Sequence, residues 1–424
     1  MTSDVSVIRE LAREYREITE DPIQARKREH YRRFNDLEPV GPMVLLEPDG
    51  DGAWKEIITE NMLLVKDPFL RDYEFLLRRM IFHARNFHDD QVFEPYVSMD
   101  MEGDYTGYHY GKASQTSAWG ISLHGKPVRE DGGAYALENF LQTPEDFETF
   151  LQHKLDFIYD RKATERKTQI LEEALDGILA IKLRVPYSVL VCSLLIELVH
   201  IRDMTSIMLD LYDQPDMFHR IMRHMSDGKV SLLFKLEREH RLVLNNDNVY
   251  TGSGGTGYSS RLPAAGFDPE QVRLKDIWGF ADAQEFAQVS NEMFKEFVLP
   301  YQRVPLELFG LACYGCCEPV DHKLDDILTI PNLWRVSVSP WSDIARAAEK
   351  IGRRAIYSRK PNPAQVSIRT DREAVKKDVA AVLDVAKDCN VEFVLKDLRT
   401  CNNNPENLSL WVDTAQELCS WANA

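Results

Sequence analysis

Short apolar runs alternate with helical segments in the last third of the chain. Four runs of strand length lie at 306–312, 333–338, 354–357 and 391–396. Each run ends in polar or turn-forming residues and is followed by a segment that carries helix signals. Alternation of this kind predicts an α/β fold with parallel strands and right-handed crossovers.

Helix start and stop signals lie between these runs. Ser342 and Asp343 are N-cap residue types, and Thr370 with Glu373 three positions later forms a capping-box pattern. Gly352 lies where a helix that ends in a left-handed residue places its glycine. The pattern therefore predicts helices that begin near residues 343 and 370.

The earlier part of the chain predicts a helical extension and further strands. Apolar positions at helical spacing over residues 4–35 indicate an N-terminal extension that packs on the body or on a second subunit. Residues 103–142 lack clear periodicity, which favours an insertion such as a hairpin or a lid. Since no linker divides the rest, one domain is predicted after the extension. The strand candidates in this part are 42–47, 93–99, 177–182 and 277–282.

Unusual residues gather at the carboxyl ends of the predicted strands, where parallel sheets bind their ligands. Because these ends share one edge, side chains far apart in the sequence are expected to lie on the same face. They are Cys316, Cys317, Glu318, Trp341, Arg359, Lys360 and Cys401.

Composition narrows the possible partners and the compartment. The net charge of −17 over 424 residues argues against nucleic acid and anionic membrane as partners, because both attract basic surfaces. No secretory signal is visible at Met1, and Glu197 interrupts the most apolar stretch, 185–199. Three of the seven cysteines fall within 313–317, which favours reduced thiols over a disulfide framework. We therefore expect a cytoplasmic enzyme.

The thiols are candidate ligands of zinc, which binds thiolates, imidazoles and carboxylates. Cys313 and Cys316 have chelate spacing, whereas Cys317 would point away from Cys316 in an extended chain. Cys401 is expected at the same edge of the sheet, and Glu318 offers an oxygen ligand. Zinc with an open position activates a thiol or hydroxyl group, which is chemistry for alkyl transfer or its reverse.

Two further segments leave their role open. The glycine-rich run 250–258 lacks the ending of a phosphate-binding loop, so a flexible loop closing over an active site is the favoured interpretation. Asp100 and Glu102 follow a predicted strand. They are typical of a solvated loop, and a substrate or cation site is the alternative.

Five segments carry a resemblance to a known family: 210–215, Tyr314-Gly315-Cys316-Cys317-Glu318, Ser337-Val338-Ser339-Pro340-Trp341, Lys360-Pro361-Asn362-Pro363-Ala364 and 401–408. They resemble segments of the uroporphyrinogen decarboxylase superfamily. The resemblance implies a distorted (β/α)8 barrel of the TIM type over residues 41–424, with the N-terminal helical extension over 1–40 and often a homodimer.

Two chemistries occur in that superfamily. The decarboxylases carry an early Arg-Gln-Ala-Gly-Arg segment, which this chain lacks around Pro42. The zinc-dependent methyltransferases work with a methylcorrinoid and hold zinc by His-x-Cys and a later Cys. Here Tyr314 stands at the His position, so the resemblance implies zinc on Cys316 and Cys401, with Glu318 as third ligand and Cys317 in reserve.

The leading hypothesis is therefore a methyltransferase that moves a methyl group between a corrinoid and a small molecule. Because no cobalamin-binding signature occurs in the chain, a partner protein or free cofactor would supply the corrinoid. The predicted catalytic residues are Glu318, Asp282 and Tyr314, and the predicted pocket residues are Tyr250, Trp278, Trp341, Arg359 and Lys360.

Two alternatives stay open at this point. One is a metal-independent decarboxylase or lyase that uses Arg359, Lys360, Asp100 and Glu102 on the same barrel. The other is a non-catalytic module that binds a corrinoid or a tetrapyrrole, for which the thiols would be dispensable.

Overall fold

The computed structural model describes residues 3–108, 117–123 and 139–419. No helix within these ranges is long and apolar enough to cross a membrane. The strands are β1 (Met43–Pro48), β2 (Tyr96–Asp100), β3 (Gly103–Tyr105), β4 (Ser117–Ala118), β5 (Ile121–Ser122), β6 (Phe157–Tyr159), β7 (Ala180–Arg184), β8 (Trp278–Ala281), β9 (Leu311–Tyr314), β10 (Leu333–Val338), β11 (Ile356–Arg359) and β12 (Asn390–Leu398). The helices are α1 (Ser3–Thr19), α2 (Pro22–Asn35), α3 (Ala53–Ile57), α4 (Pro68–Asn86), α5 (Pro144–Phe150), α6 (Arg161–Leu175), α7 (Tyr187–Leu190), α8 (Leu194–Leu198), α9 (Met204–Asp213), α10 (Pro215–Arg238), α11 (Asn291–Phe297), α12 (Leu299–Leu306), α13 (Leu324–Ile327), α14 (Ile344–Ile351), α15 (Ala364–Ser367), α16 (Arg372–Val385) and α17 (Glu406–Cys419).

The parallel strands form a curled sheet and a separate pair. Six strands pair side by side in the order β1-β12-β11-β10-β9-β8, all parallel, and β2 pairs with β7 in parallel. In the described ranges, no ladder joins β1 to β2 or β7 to β8. The parallel α/β architecture is thus confirmed, whereas closure into a (β/α)8 barrel stays a prediction.

Alternation along β12 shows how the sheet separates its two faces. Phe393 and Leu395 pack into the main core beneath the helices, whereas Val394 packs on the opposite, inner face with residues of β1 and β11. Since side chains alternate along a strand, Glu392 and Lys396 also point to the inner face. Polar groups therefore line the interior of the curl.

The N-terminal extension packs on the body of the protein. Ile8, Leu11 and Tyr15 of α1 are buried in one cluster with residues of α4 and α6. At the end of α2, the Asn35 amide donates to the carbonyl oxygens of Thr256 and Tyr258, at 3.0 and 2.7 Å. Of the two predicted positions for the extension, packing on the body is confirmed.

Two predicted boundaries are wrong for identifiable reasons. The apolar run 306–312 is not one strand, because α12 ends at Leu306 and β9 begins at Leu311. A short apolar run fits a buried helix end as well as a strand. The N-cap of α16 is Asp371, not Thr370, whose hydroxyl donates to the carbonyl of Asn407 at 2.7 Å.

The predicted insertion at 103–142 falls partly on residues 109–116 and 124–138, which lie outside the described ranges. In the described part, β4 and β5 form a short antiparallel hairpin. Trp119 at its turn is buried and donates from its indole Nε1 to Glu197 at 2.6 Å. This hairpin is therefore fixed to the body of the protein.

Candidate active site

A bend after β9 brings two thiols together. Gly315 follows the last residue of the strand, Tyr314, and adopts φ +89°, which glycine reaches without strain. The chain then bends at Cys316 and Cys317, whose Sγ atoms lie 3.4 Å apart. The extended chain in which these thiols would point in opposite directions is therefore not what the structure shows.

Cys316 is surrounded by groups that stabilise its thiolate. The Ser253 hydroxyl donates to its Sγ at 3.2 Å, and the Lys396 ammonium donates at 3.4 Å. The hydrogen bond from the Cys317 thiol, followed by the charge of Lys396, lowers the pKa of Cys316 to about 5. Cys316 is therefore ionised at neutral pH and is the stronger nucleophile of the two thiols.

Lys396 is the cation of this cluster. Burial lowers the pKa of Lys396, but the groups around it, led by Tyr250 and Cys316, raise the pKa well above its ordinary value. Its ammonium also lies 3.3 Å from one carboxylate oxygen of Asp397, and the other lies 3.2 Å from the Cys317 sulfur. The hydrogen bond to Cys316 and burial raise the pKa of Cys317, which stays protonated.

Buried carboxyl groups lie beside the thiolate. Glu318 accepts hydrogen bonds from the backbone N–H groups of Cys316 and Ala283, at 2.9 and 3.0 Å. Burial and the Cys316 charge raise the pKa of Glu318 to about 7. Burial also raises the pKa of Asp282 well above its ordinary value, and that of Glu285 to about 7. These groups can hold a proton near neutral pH and act as general acids.

Tyr314 lies near these carboxyl groups, and its hydroxyl proton is used in a hydrogen bond. It is buried, and its hydroxyl donates to the side-chain oxygen of Gln302 at 2.7 Å. The Gln302 amide nitrogen in turn donates to the backbone carbonyl of Asp282 at 2.6 Å. Burial raises the pKa of Tyr314 well above its ordinary value, so this phenol stays protonated.

The glycine-rich run lies against the inner face of the sheet. Gly252 and Gly254 have φ of +65° and +116°, and a Cβ on them would lie 2.4 Å from the Cys313 Cβ and 2.6 Å from the Val394 Cγ1. Only glycine permits this close approach, which presses the buried Ser253 against Cys316. The expected flexible loop is therefore a packed part of the interior.

A cavity lies between β7 and β8, beside this loop. Its wall comprises residues of both strands and of the segments 185–191 and 242–252, including the predicted pocket residues Tyr250 and Trp278. The wall residue Gly252 directly precedes Ser253, which contacts the Cys316 thiolate. The thiolate is therefore separated from the cavity by the wall formed at Gly252 and Ser253.

Cys401 lies in a different environment from the other thiols predicted as ligands. It is buried, and its Sγ donates to Glu56 Oε2 at 3.2 Å, while its backbone N–H donates to the same oxygen at 2.9 Å. Burial and this hydrogen bond raise the pKa of Cys401 to about 12, so its thiol is protonated. The loop after β12 turns Cys401 toward α3.

The remaining predicted pocket residues differ in their positions. Lys360 is buried near the glycine-rich run and donates to Ser358 at 2.5 Å, and burial lowers its pKa to about 8. Arg359 lies on the other face of the sheet, where its guanidinium donates to the Ser339 carbonyl and pairs with Asp378 of α16 at 3.7 Å. Trp341 is 68% exposed and is not part of the cavity wall.

The predicted set of zinc ligands does not fit this arrangement. Across the described ranges, no group of three or more His, Cys, Asp and Glu side chains is placed to hold a metal ion. Glu318 is directed at two backbone N–H groups, Cys401 is bonded to Glu56, and the ammonium of Lys396 lies against the Cys316 sulfur. The zinc ion stays a prediction from the resemblance.

The sequence analysis missed Lys396 and Ser253 as members of the site. A signal for Lys396 existed, because Glu392 and Lys396 interrupt an apolar strand at even spacing and therefore share its inner face. Ser253 carried no such signal, since its contact with Cys316 depends on the folded path of the glycine-rich run.

Comparisons with known proteins find no family that matches this chain and no match among curated proteins. Among solved structures, the chain is similar to a methyltransferase from Methanosarcina mazei. The alignment is 12% identical, covers 92% of this chain and 98% of that one, and has a TM-score of 0.49. Membership of the uroporphyrinogen decarboxylase superfamily stays a prediction from the sequence motifs.

Proposed function

We propose that the protein is a methyltransferase that moves a methyl group between a small molecule and a corrinoid, with the Cys316 thiolate as its sulfur nucleophile. The observation that carries the proposal is the contact of Cys316 Sγ with Lys396 at 3.4 Å and Ser253 at 3.2 Å, beside a cavity. A thiolate is a soft nucleophile suited to attack on a methyl carbon. The resemblance of 314–318 to methyltransferases supports the same chemistry.

In the first half of the transfer, the Cys316 sulfur attacks the methyl carbon of a donor. A sulfur–carbon bond forms while the bond from carbon to the leaving atom breaks, and the electron pair stays with that atom. If the leaving atom is oxygen or nitrogen, it needs a proton. Our proposal assigns this role to Glu318, whose pKa is raised to about 7, with Asp282, whose pKa is also raised, as its neighbour.

Lys396 and Ser253 hold the thiolate before the donor arrives. Both donate to Cys316 Sγ, and Ser253 is kept in place by the packing of Gly252 and Gly254 on the inner face. Preorganised donors of this kind reduce the rearrangement needed during the reaction. In the second half, the sulfur–carbon bond breaks, the methyl group passes to the reduced corrinoid that the resemblance implies, on a partner protein or free, and the electron pair returns to Cys316 as its thiolate.

The decarboxylase alternative receives less support from the same geometry. Three of its four proposed residues form ion pairs elsewhere: Arg359 with Asp378 at 3.7 Å, Asp100 with Arg184 at 2.8 Å, and Glu102 with Lys167 at 2.7 Å. Only Lys360 lies near the cluster. These three residues are thus not gathered around one position next to the thiolate, so we favour methyl transfer.

The test is to follow methylation of Cys316 itself. Purified protein is incubated with methylcobalamin and with a panel of O-, N- and S-methyl compounds, and peptides are analysed by mass spectrometry. We expect a methyl group on the peptide that contains Cys316, and none on the buried Cys419, which serves as an internal control.

Variants test whether methylation of Cys316 is a step of the catalytic cycle. Cys316→Ser should lower methyl transfer at least about a thousandfold, as removal of a nucleophile does. Cys389→Ser, a thiol outside the cluster, should leave it unchanged. Turnover that survives in Cys316→Ser would overturn the proposal.

A further inference from the structure

We propose that the cavity between β7 and β8 binds a flat aromatic anion, whose acidic group meets Arg184 and whose other end points to Cys316. The inference rests on the proposed function, because it names the class of small molecule whose methyl group is transferred. It is argued from the lining of the cavity, the hydrogen bonds of Arg184 and the position of the thiolate.

The cavity wall favours an aromatic body. Most of the wall is apolar, as is typical of sites that bind small organic molecules. Trp278 is held rigidly in the wall, since its indole Nε1 donates to the Gly257 carbonyl at 2.8 Å. Aromatic rings pack well on such fixed aromatic surfaces. The other aromatic residues of the wall are Tyr187, Tyr250 and Phe280.

Arg184 offers donors to an acidic group. Its Nε donates to Asp100 at 2.8 Å, and its side chain is 38% exposed. A guanidinium has five N–H donors, and one pairing with Asp100 leaves several of them for a carboxylate. Lys182, the other cation of the wall, is committed to its ion pair with Asp247 and lies 5.4 Å from the Tyr96 ring.

Charge determines which way the ligand lies. The inner end of the cavity is the wall at Gly252 and Ser253, behind which lie the Cys316 thiolate and the carboxyl groups around Asp282. The thiolate at that end already has Lys396 as its cation, whereas Arg184 offers an anionic group a cation with donors to spare. The ligand therefore presents its uncharged, methyl-bearing end to the wall behind which the sulfur lies.

The test compares two molecules of the same shape, 2-naphthoate and the neutral 2-naphthamide, by isothermal titration calorimetry. Wild-type protein should bind the naphthoate about tenfold more tightly, as expected for one charge-assisted hydrogen bond. Arg184→Met should remove that difference and leave naphthamide binding unchanged. Asp100→Asn, which frees the guanidinium, should bind the naphthoate as tightly as wild type or more tightly.

Controls separate this inference from the proposed function. Arg220→Met, which removes an exposed arginine paired with Glu148 at 3.0 Å, should bind both ligands like wild type. Cys316→Ser should lose methyl transfer yet bind both ligands normally. Equal affinity for the two ligands, binding of neither, or an unchanged preference in Arg184→Met would overturn the inference and leave the thiolate chemistry standing.

Discussion

Two buried charged groups lie on the inner face of the sheet, and they differ in how their charges are matched. One group, which we call the lower group, consists of Arg335 and Glu392. The two side chains form an ion pair at 2.9 Å, and both are buried. Arg335 also donates to Thr251 at 2.6 Å, to Asn35 at 2.9 Å and to the Thr256 carbonyl at 3.0 Å. One cation and one anion thus join the sheet, α2 and the glycine-rich run.

The other group, which we call the upper group, surrounds Cys316, and its acidic groups outnumber its cations. Lys396 faces the Cys316 thiolate, and the buried carboxyl groups of Asp282, Glu318 and Glu285 crowd beside it. Their pKa values are displaced because burial and like charges disfavour ionisation. A balanced buried pair serves the fold, whereas an unbalanced cluster next to a cavity indicates chemistry.

The largest expected effect is the loss of stability when the ion pair of Arg335 and Glu392 is broken. Arg335→Met removes the ion-pair partner of Glu392, leaves Lys360 nearby through Ser358, and should lower the free energy of unfolding by about 3 kcal/mol. Urea unfolding followed by circular dichroism measures the change. Adding Glu392→Gln to the variant should restore part of the stability. A single variant as stable as wild type would show that the lower group does not hold the fold together.

Removing the cation of the upper group should change chemistry more than stability. Lys396→Met takes away a charge that stabilises the thiolate, so the pKa of Cys316 should rise. Alkylation of Cys316 by iodoacetamide just below neutral pH should slow by about 10–100-fold, since each tenfold corresponds to one pKa unit. Lys350→Met, at an exposed pair with Asp325, is the control. An unchanged rate would remove Lys396 from the site.

The buried carboxyl groups predict a dependence of stability on pH. The folded-state pKa of Glu318 is raised to about 7, so its contribution is present below its ordinary pKa of 4.5 and lost as pH rises through about 7. Cys316, whose pKa is lowered to about 5, contributes in the opposite direction, because its stabilisation is lost as pH falls through about 5. The two effects partly cancel in the wild-type protein. The useful quantity is therefore the difference in the free energy of unfolding between a variant and wild type at each pH.

Because the pKa of Glu318 is raised from 4.5 to about 7, Glu318→Gln should remove a loss of about 2–3 kcal/mol in the free energy of unfolding between about pH 5 and pH 8. Urea midpoints at several pH values, compared with wild type, give this difference. Glu148→Gln, on the surface, should show the wild-type pH profile. If Glu318→Gln keeps the same profile as well, the Glu318 carboxyl titrates at an ordinary pKa.

Sequence patterns predicted elements best where periodicity and caps agreed. Strand β10 was predicted to the residue, and Asp343 caps α14 as expected. The pattern failed at 306–312, because an apolar stretch has no period that separates a buried helix end from a strand. The separation of β7 from β8 could not be read from patterns either, since the segment 242–252 lines a cavity between them.

For the site, the sequence predicted which residues lie at the ends of the strands but not how their side chains are arranged. The thiols and the carboxylate after β9 lie where the parallel sheet predicted them, at its carboxyl edge. Their mutual geometry depends on the bend after Gly315, and the position of Cys401 depends on a loop turned toward Glu56. Strand order constrains neither of these features.

The smallest expected effect concerns Cys401, and it tests the zinc prediction most directly. If Cys401 were a ligand, Cys401→Ser would lose bound zinc together with Cys316→Ser. With its thiol bonded to Glu56, we expect Cys401→Ser instead to keep the metal content of the wild-type protein, measured by inductively coupled plasma mass spectrometry, and its alkylation rate at Cys316. Because serine can donate the same hydrogen bond, the free energy of unfolding should change by less than about 1 kcal/mol. A stoichiometric zinc ion that disappears in both variants would contradict this expectation. It would mean that the loop after β12 turns toward Cys316 when metal is bound. Cys401 would then belong to the upper group.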